Sequence, residues 1–417
     1  MISVEPILAL MQRECQSAYA GVMELAELDA LLTPEAMRLI DELDPVETAS
    51  DVARTVSRLR AAGHGPELVS AVVGQVRLRQ RAAQKFGEFA SRMLFTRAGL
   101  EQATRMSVSA HHAGRFARAG LTGVADLGSG IGGDSLALAA LGIRVLAIEA
   151  DDVTAALAAY NLAAFRDKVE VRHGLAEEAD ITGVQGAWLD PARRTKGHTE
   201  TRRISVADYS PSLTWVFALA RTMPTGIKLG PAFDRDEIPE EFEAQWISVD
   251  GSTVELVLWS GPLARDGVGR AALVIRGDSA HEITAPHDAV DEPLRALGRY
   301  LYEPEGAVIR ARLIGEVARA LQAGPMSDGI AYLTGDEDRT SPFAARFRVR
   351  ETFPADPKTL AREMHARGIG TLEIKKRGVD IDPAEFRKKL KLRGSGSATL
   401  FITRAGDKRV AVLADRE

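Results

Sequence analysis

The chain has 417 residues, 45% of them hydrophobic and 27% charged. That is too long for one ordinary domain and rich enough in apolar residues to exclude a disordered or fibrous chain. A single cysteine, Cys15, excludes an intrachain disulfide framework and any multi-cysteine zinc site, and no apolar stretch has the length of a membrane span, so neither a metal nor a membrane partner is expected.

The start, "MISVEPILALMQREC", carries Glu5 and no basic n-region, which reads as no secretory signal. With one cysteine, this makes a reducing, cytoplasmic location the expectation. The net charge of −5 averages unequal pieces: residues 1–60 hold 11 acids and 5 bases, whereas residues 77–118 hold 9 bases and 2 acids. Residues 361–417 hold 14 bases and 8 acids. Segregated basic patches suit a polyanion, although long arginine-bearing helices also solvate themselves in this way.

Residues 1–118 read as a helical domain. Thr33 stands at an N-cap position before Pro34, and "PELVSAVVGQVRLRQRAAQKFGEFASRML" repeats apolar residues at three- and four-residue spacing. From "GLTGVADLGSG" onward strand-like and helical runs alternate, which predicts βαβ units on a mostly parallel sheet over 119–282. "WISVDGSTVELVLWSGP" predicts a hairpin turning at Asp250-Gly251, with "RAALVIRG" as the last strand. Residues 283–417 read as a small α+β module. It has one helix over "EPEGAVIRARLIGEVARALQAG", stopped by Gly324-Pro325, then helix, strand "TLEIKKRG" and helix, and a terminal hairpin at Ala405-Gly406-Asp407.

The strongest chemical signal is "VADLGSGIGGDSLALA". A strand ends near Asp126, and Gly128, Ser129, Gly130, Gly132 and Asp134 lead into a helix, a backbone arrangement that lets a ligand approach closely. The spacing Gly128-x-Gly130-x-x-Gly133 also satisfies the dinucleotide pattern. Asp126 separates the two readings, because a carboxylate there accepts from an amino group or from glycine amides but repels a pyrophosphate. Glu149 and Ala150, at the end of the next strand, stand where an acid binds a ribose diol. Acid, glycine loop and strand-end acid resemble the class I S-adenosylmethionine-dependent methyltransferases. The resemblance implies a Rossmann-like sheet and S-adenosyl-L-methionine as cofactor. In these enzymes the third strand usually ends in Gly-Asp or a similar pair, whose acid reaches the adenine. Here "VEVRHGLAEEAD" offers His173, Gly174 and Leu175, with Glu177 or backbone left for adenine.

"WLDPARR" follows the fourth strand, whose carboxyl end faces the ligand in such sheets. Amine-modifying relatives carry Asn or Asp, Pro, Pro and an aromatic here. This chain keeps Asp190 and Pro191 and replaces the remaining pair by Ala192 and Arg193. The resemblance gives Asp190 the acceptor role toward an exocyclic amine, and the planar guanidinium of Arg193 can stack on a base. Uracil carbon-5 methylation needs a downstream cysteine, and there is none. The loop that follows, 193–203, carries five Lys or Arg, among them Arg194, Lys196, Arg202 and Arg203, against Glu200. It reads either as a substrate-ordered lid for an anion or as a solvated loop.

Taken in order, the helical start, "DLGSGIGGDSLALA", "AIEADD", "LDPARRT" and the tail "EIKKRGVDIDP…RKKLKLRG" resemble a family of bacterial class I methyltransferases with a C-terminal THUMP-like domain. Its core is similar to RNA cap guanine-N2 methyltransferases. The resemblance implies RNA as partner, with Lys375, Lys376, Arg377, Lys388, Lys389, Lys391 and Arg393 contacting phosphates. It implies methylation of a base nitrogen in RNA. The alternatives are a small-molecule or protein methyltransferase with an anionic substrate, or an RNA-binding protein whose methyltransferase fold has lost activity.

Overall fold

The computed structural model describes residues 25–193, 209–406 and 408–417, without the side chains of Leu25, Ala26 and Arg193. Two compact units emerge: the chain up to Lys228 together with Trp259–Leu263, and Leu229–Leu258 together with Ala264–Glu417.

The first unit opens with helices α1 (Leu25–Leu31), α2 (Pro34–Glu42), α3 (Ala49–Ala61), α4 (Pro66–Phe86), α5 (Arg97–Gln102) and α6 (Met106–Arg118). Local chemistry sets their ends. Thr33 Oγ1 accepts from the Ala36 N–H ahead of Pro34, and Thr48 and Asp51 form a reciprocal capping box. The long basic helix ends at Phe86, earlier than its periodicity suggests, because Gly87 takes a φ of 55° and the next six residues tighten into a 3-10 turn. Apolar faces of α1 to α4 close over Val153, Ala156 and Leu157.

Next come β1 (Gly123–Leu127), α7 (Gly133–Ala140), β2 (Arg144–Glu149), α8 (Asp152–Asn161), β3 (Val169–His173) and β4 (Gly186–Leu189). A short ribbon of β5 (Ala192–Arg193) and β6 (Tyr209–Ser210), then α9 (Leu213–Ala220) and β7 (Thr225–Leu229), complete the unit. The strands are parallel in the order β7-β4-β1-β2-β3. This is the doubly wound order, with its switch point between β1 and β4. Trp188, Trp259 and Phe116 are almost wholly buried beneath it, with ring centroids 5.9–6.4 Å apart. Burying each tryptophan contributes at most roughly 4–6 kcal/mol.

In the second unit, β8 (Glu243–Val249) and β9 (Ser252–Trp259) are neighbours joined at Asp250-Gly251, the expected turn, where both residues have positive φ, 48° and 82°. β10 (Arg270–Arg276) runs parallel to β8 and antiparallel to β11 (Ser279–Ala285). The last strand is therefore β11, one beyond "RAALVIRG"; its exposed, polar residues hide it from hydrophobic patterning.

The remainder contains β12 (Tyr300–Pro304), α10 (Gly306–Arg310), α11 (Ile314–Leu321), β13 (Gly324–Pro325), β14 (Leu333–Gly335), β15 (Ala344–Pro354), α12 (Pro357–Ala366), β16 (Ile369–Lys376), α13 (Pro383–Leu390), β17 (Gly396–Ala405) and β18 (Lys408–Arg416). Where one helix was expected there are two, because Arg312 enters the left-handed region at φ 59°. The second ends before Gly324-Pro325, at Gln322 with φ 54°. Seven strands form a sheet in the order β13-β14-β12-β15-β18-β17-β16. One apolar cluster joins it to α12 and α13, and another gathers Leu301, Tyr332, Phe347, Phe401 and Val412.

No helix among the described residues is long and apolar enough to cross a membrane, and no three His, Cys, Asp or Glu gather to hold a metal ion.

Candidate active site

The carboxyl ends of β1, β2 and β4 bring the predicted loop residues together. β1 is buried throughout and carries Asp126 inside at 1% exposure. Its Oδ2 accepts from the Ser135 hydroxyl at 2.5 Å, so the partner is a helix hydroxyl rather than the glycine amides. Burial first, and then the charges of Asp134, Asp190 and Glu149, push the Asp126 carboxyl up to about 8, against the Ser135 bond. Without a bound cation it therefore holds its proton at neutral pH.

Gly128, Gly130 and Gly132 have φ values of 89°, 55° and 88°, which side-chain-bearing residues rarely adopt. The Gly128 and Ser129 N–H groups donate to the Ile148 carbonyl, and the Gly130 N–H donates to Glu149 Oε2 at 2.8 Å. The other Glu149 oxygen accepts from the Asp151 N–H at 3.0 Å. Burial raises this carboxyl above the usual range, although the two N–H groups oppose the shift. Ala150 follows, its carbonyl 3.1 Å from His173 Nε2, at the end of β3.

Asp134 lies in the first turn of α7, its Oδ1 2.9 Å from His112 Nδ1. Burial alone would raise its carboxyl, but the bond and charge of His112, helped by Lys228, hold it below the usual range. His112 itself is 2% exposed and lies against the Trp188 ring at 4.3 Å. The helical segment supports the loop from outside. Buried Asn161 accepts from the Leu94 N–H and donates to the carbonyls of Leu94 and Ile131, tying the helices to the glycine loop.

At the end of β4, Asp190 Oδ2 accepts from Lys228 Nζ at 2.5 Å, and Lys228 comes from the end of β7. A Cβ on Gly128 would lie 3.4 Å from the Asp190 carbonyl oxygen, so the cofactor loop and the Asp-Pro turn meet main chain to main chain. Pro191 is buried behind Asp190, and Ala192 and Arg193 pair antiparallel with Ser210 and Tyr209. Arg194, Lys196, Arg202 and Arg203 lie outside the described residues, as does the Arg193 side chain.

Four carboxyl groups, from Asp126, Asp134, Glu149 and Asp190, thus ring one glycine loop, with Lys228 and His112 each bound to a carboxylate. Such a donor set fits S-adenosylmethionine, which has an ammonium, a sulfonium and a ribose diol, and would repel a pyrophosphate. The space beside Gly130, where a Cβ would meet nothing within 4 Å, and the buried Ser129 hydroxyl, without a hydrogen-bond partner among the described residues, suit a bound ligand.

Sequence reasoning overlooked Lys228, His112 and Ser135. Lys228 did leave a trace: "GIKLG" places a cation inside a strand that is otherwise apolar. The basic residues of the tail divide into two groups. Lys375 pairs with Glu303 at 2.7 Å, Arg377 stacks on Tyr332 with Glu303 at 3.9 Å, and Lys388 pairs with Glu385. Lys376, Lys389, Lys391 and Arg393 are exposed and have no ion pair among the described residues.

Comparison with known proteins agrees with this geometry. A family model described as THUMP domain-like matches residues 344–416, and a domain of unknown function, DUF8688, matches residues 24–82. A crystal structure from Porphyromonas gingivalis W83, assigned as a methyltransferase, has the same fold at a TM-score of 0.69 and 21% identity, over 89% of this chain and 99% of that one. An uncharacterised S-adenosylmethionine-dependent methyltransferase of Mycobacterium tuberculosis, in strains CDC 1551 and H37Rv, is 34% identical over 366 residues, which span 84% of this chain and 95% of that protein. The chain belongs to the S-adenosylmethionine-dependent methyltransferases.

Proposed function

We propose that this methyltransferase acts on a base nitrogen in RNA. The observation that carries the reading is Asp190, at the switch-point end of β4 and held by Lys228 at 2.5 Å. An anchored carboxylate there accepts from an exocyclic amine and turns its lone pair toward the cofactor, so orientation does most of the catalysis. S-adenosylmethionine supplies the electrophilic methyl group. Asp126, Ser129 and Glu149 hold that cofactor, and Lys228 keeps the Asp190 carboxylate aligned. RNA as the substrate is supported by the THUMP-like match and by the exposed Lys376, Lys389, Lys391 and Arg393, which have no ion pair among the described residues.

The test is transfer of tritium from methyl-labelled S-adenosylmethionine into the RNA, protein and metabolite fractions of a strain lacking the gene. Label entering RNA with the wild type and not with Asp190→Ala is the expected result. Label in protein or metabolites alone would overturn it.

A further inference from the structure

The second unit holds a cavity of about 800 Å³ that the methyl-transfer site does not use. Four guanidinium groups line it, from Arg235, Arg310, Arg312 and Arg377, against the carboxylates of Asp234 and Asp236. Asp234 is occupied locally, accepting from the Asp236 N–H. Nearby acids neutralise the arginines incompletely. Asp288 binds Arg235 at 3.2 Å and reaches Arg312 only at 3.8 Å. Glu303 pairs with Lys375 at 2.7 Å and stays 3.9 Å from Arg377. Arg310 is exposed and has no ion pair among the described residues. Arg312 projects from a left-handed backbone, φ 59°, which an arginine seldom adopts and which breaks the helix there.

We propose that this cavity binds a phosphate-bearing nucleotide, with its phosphate on Arg310 and Arg312. Guanidinium forks match phosphate oxygens two by two, and an excess of them over carboxylates favours an anion. The volume is that of a small-molecule site, about 300–1,000 Å³, and exceeds what a lone oxyanion needs. Phe233 and Pro231 add apolar wall suited to a base. The same chemistry is offered by an RNA chain or by a free nucleotide. The proposal adds to the RNA reading and does not depend on it.

The full chain is titrated with a fluorescein-labelled 12-residue oligouridylate, with uridine 5′-monophosphate and with inorganic phosphate, comparing wild type, Arg310→Ala and Arg310→Glu. S-adenosylmethionine affinity serves as the control for folding. Arg310→Glu should weaken the oligonucleotide at least about tenfold, and Arg310→Ala should lower the salt slope by about one. If only the monophosphate binds, and in an Arg310-dependent way, the cavity stands and the RNA reading falls. An oligonucleotide bound equally by all three proteins overturns the cavity and leaves the RNA reading intact. If none of the probes binds the wild type, both fall.

Discussion

Lys228 Nζ lies 2.5 Å from Asp190 Oδ2, so an ammonium from β7 clamps the acid that follows β4. An ammonium contact of this kind fixes the direction in which the carboxylate points. Asp190→Ala should lower methyl transfer by about 10²–10³-fold, the range for losing one preorganised group at a reacting centre. Asp190→Asn should lose less, because its carbonyl still accepts. Lys228→Met should slow transfer while changing cofactor affinity by no more than a few-fold. The double variant should fall short of the summed losses by about 1 kcal/mol or more, as contacting residues do. Single-turnover rates on wild type and the four variants measure this, and strict additivity would remove the clamp.

Asp126 makes a prediction about pH. Its folded-state carboxyl is raised to about 8 against an ordinary 3.8, so between these values the folded protein binds a proton that the unfolded chain does not. Stability from this group is therefore full at low pH and declines as pH rises through the window, by up to about 1.4 kcal/mol per pH unit. Urea titrations should show Asp126→Asn gaining on wild type from pH 5 to about pH 8 and levelling off above it. A constant difference across that range would contradict the raised value.

The same proton bears on the cofactor. If a cationic amino group meets Asp126, binding at pH 7 must expel the proton held there. Calorimetry in buffers of different ionisation enthalpy should report release approaching one proton for wild type and close to none for Asp126→Asn, whose affinity also falls. Proton uptake on binding would place the ammonium elsewhere.

Two glycines with nearly equal backbones separate strain from crowding. Gly132 and Gly142 have φ values of 88° and 85°, but a Cβ at Gly132 meets Leu162 Cδ1 at 2.9 Å and one at Gly142 meets nothing within 4 Å. Gly142→Ala should cost about 1 kcal/mol, from the left-handed backbone alone. Gly132→Ala should cost roughly 2–3 kcal/mol, adding displacement of Leu162. Thermal melts of both variants test the difference.

The two groups of tail cations should behave differently. Neutralising Lys389, Lys391 and Arg393 together should flatten the salt dependence of RNA binding by about two to three units of slope and leave the melting temperature within a degree or two. Lys375→Ala should instead lower stability, because it leaves Glu303 and Glu373 without their ammonium. Equal effects of the two changes on RNA binding would argue against the division.

The alternation of strands and helices and the glycine loop were legible because each rests on a contiguous pattern: an apolar run, glycines, then a helix. Asp190 was legible for the same reason, standing where an apolar strand stops at a proline. Lys228, His112 and Ser135 were not, since each acts on a partner brought near only by the fold. Lys228 is 38 residues from Asp190, and His112 is 22 from Asp134. The break at Arg312 escaped too, because "IRARLIGEVARAL" keeps helical spacing through it, has no proline, and carries its one glycine, Gly315, three residues past the break. β11 was invisible to patterning because its residues are mostly exposed.

The 3.4 Å between a Cβ on Gly128 and the Asp190 carbonyl oxygen sets apart what this enzyme can change from what it must keep. Backbone measures backbone at that point, so the distance from the glycine loop to the Asp-Pro turn is independent of which side chain residue 190 bears. On the proposed role of Asp190, exchanging that side chain would retune the acceptor chemistry one codon at a time while the alignment persists. Lengthening the turn by one residue would spoil the alignment for every substrate at once.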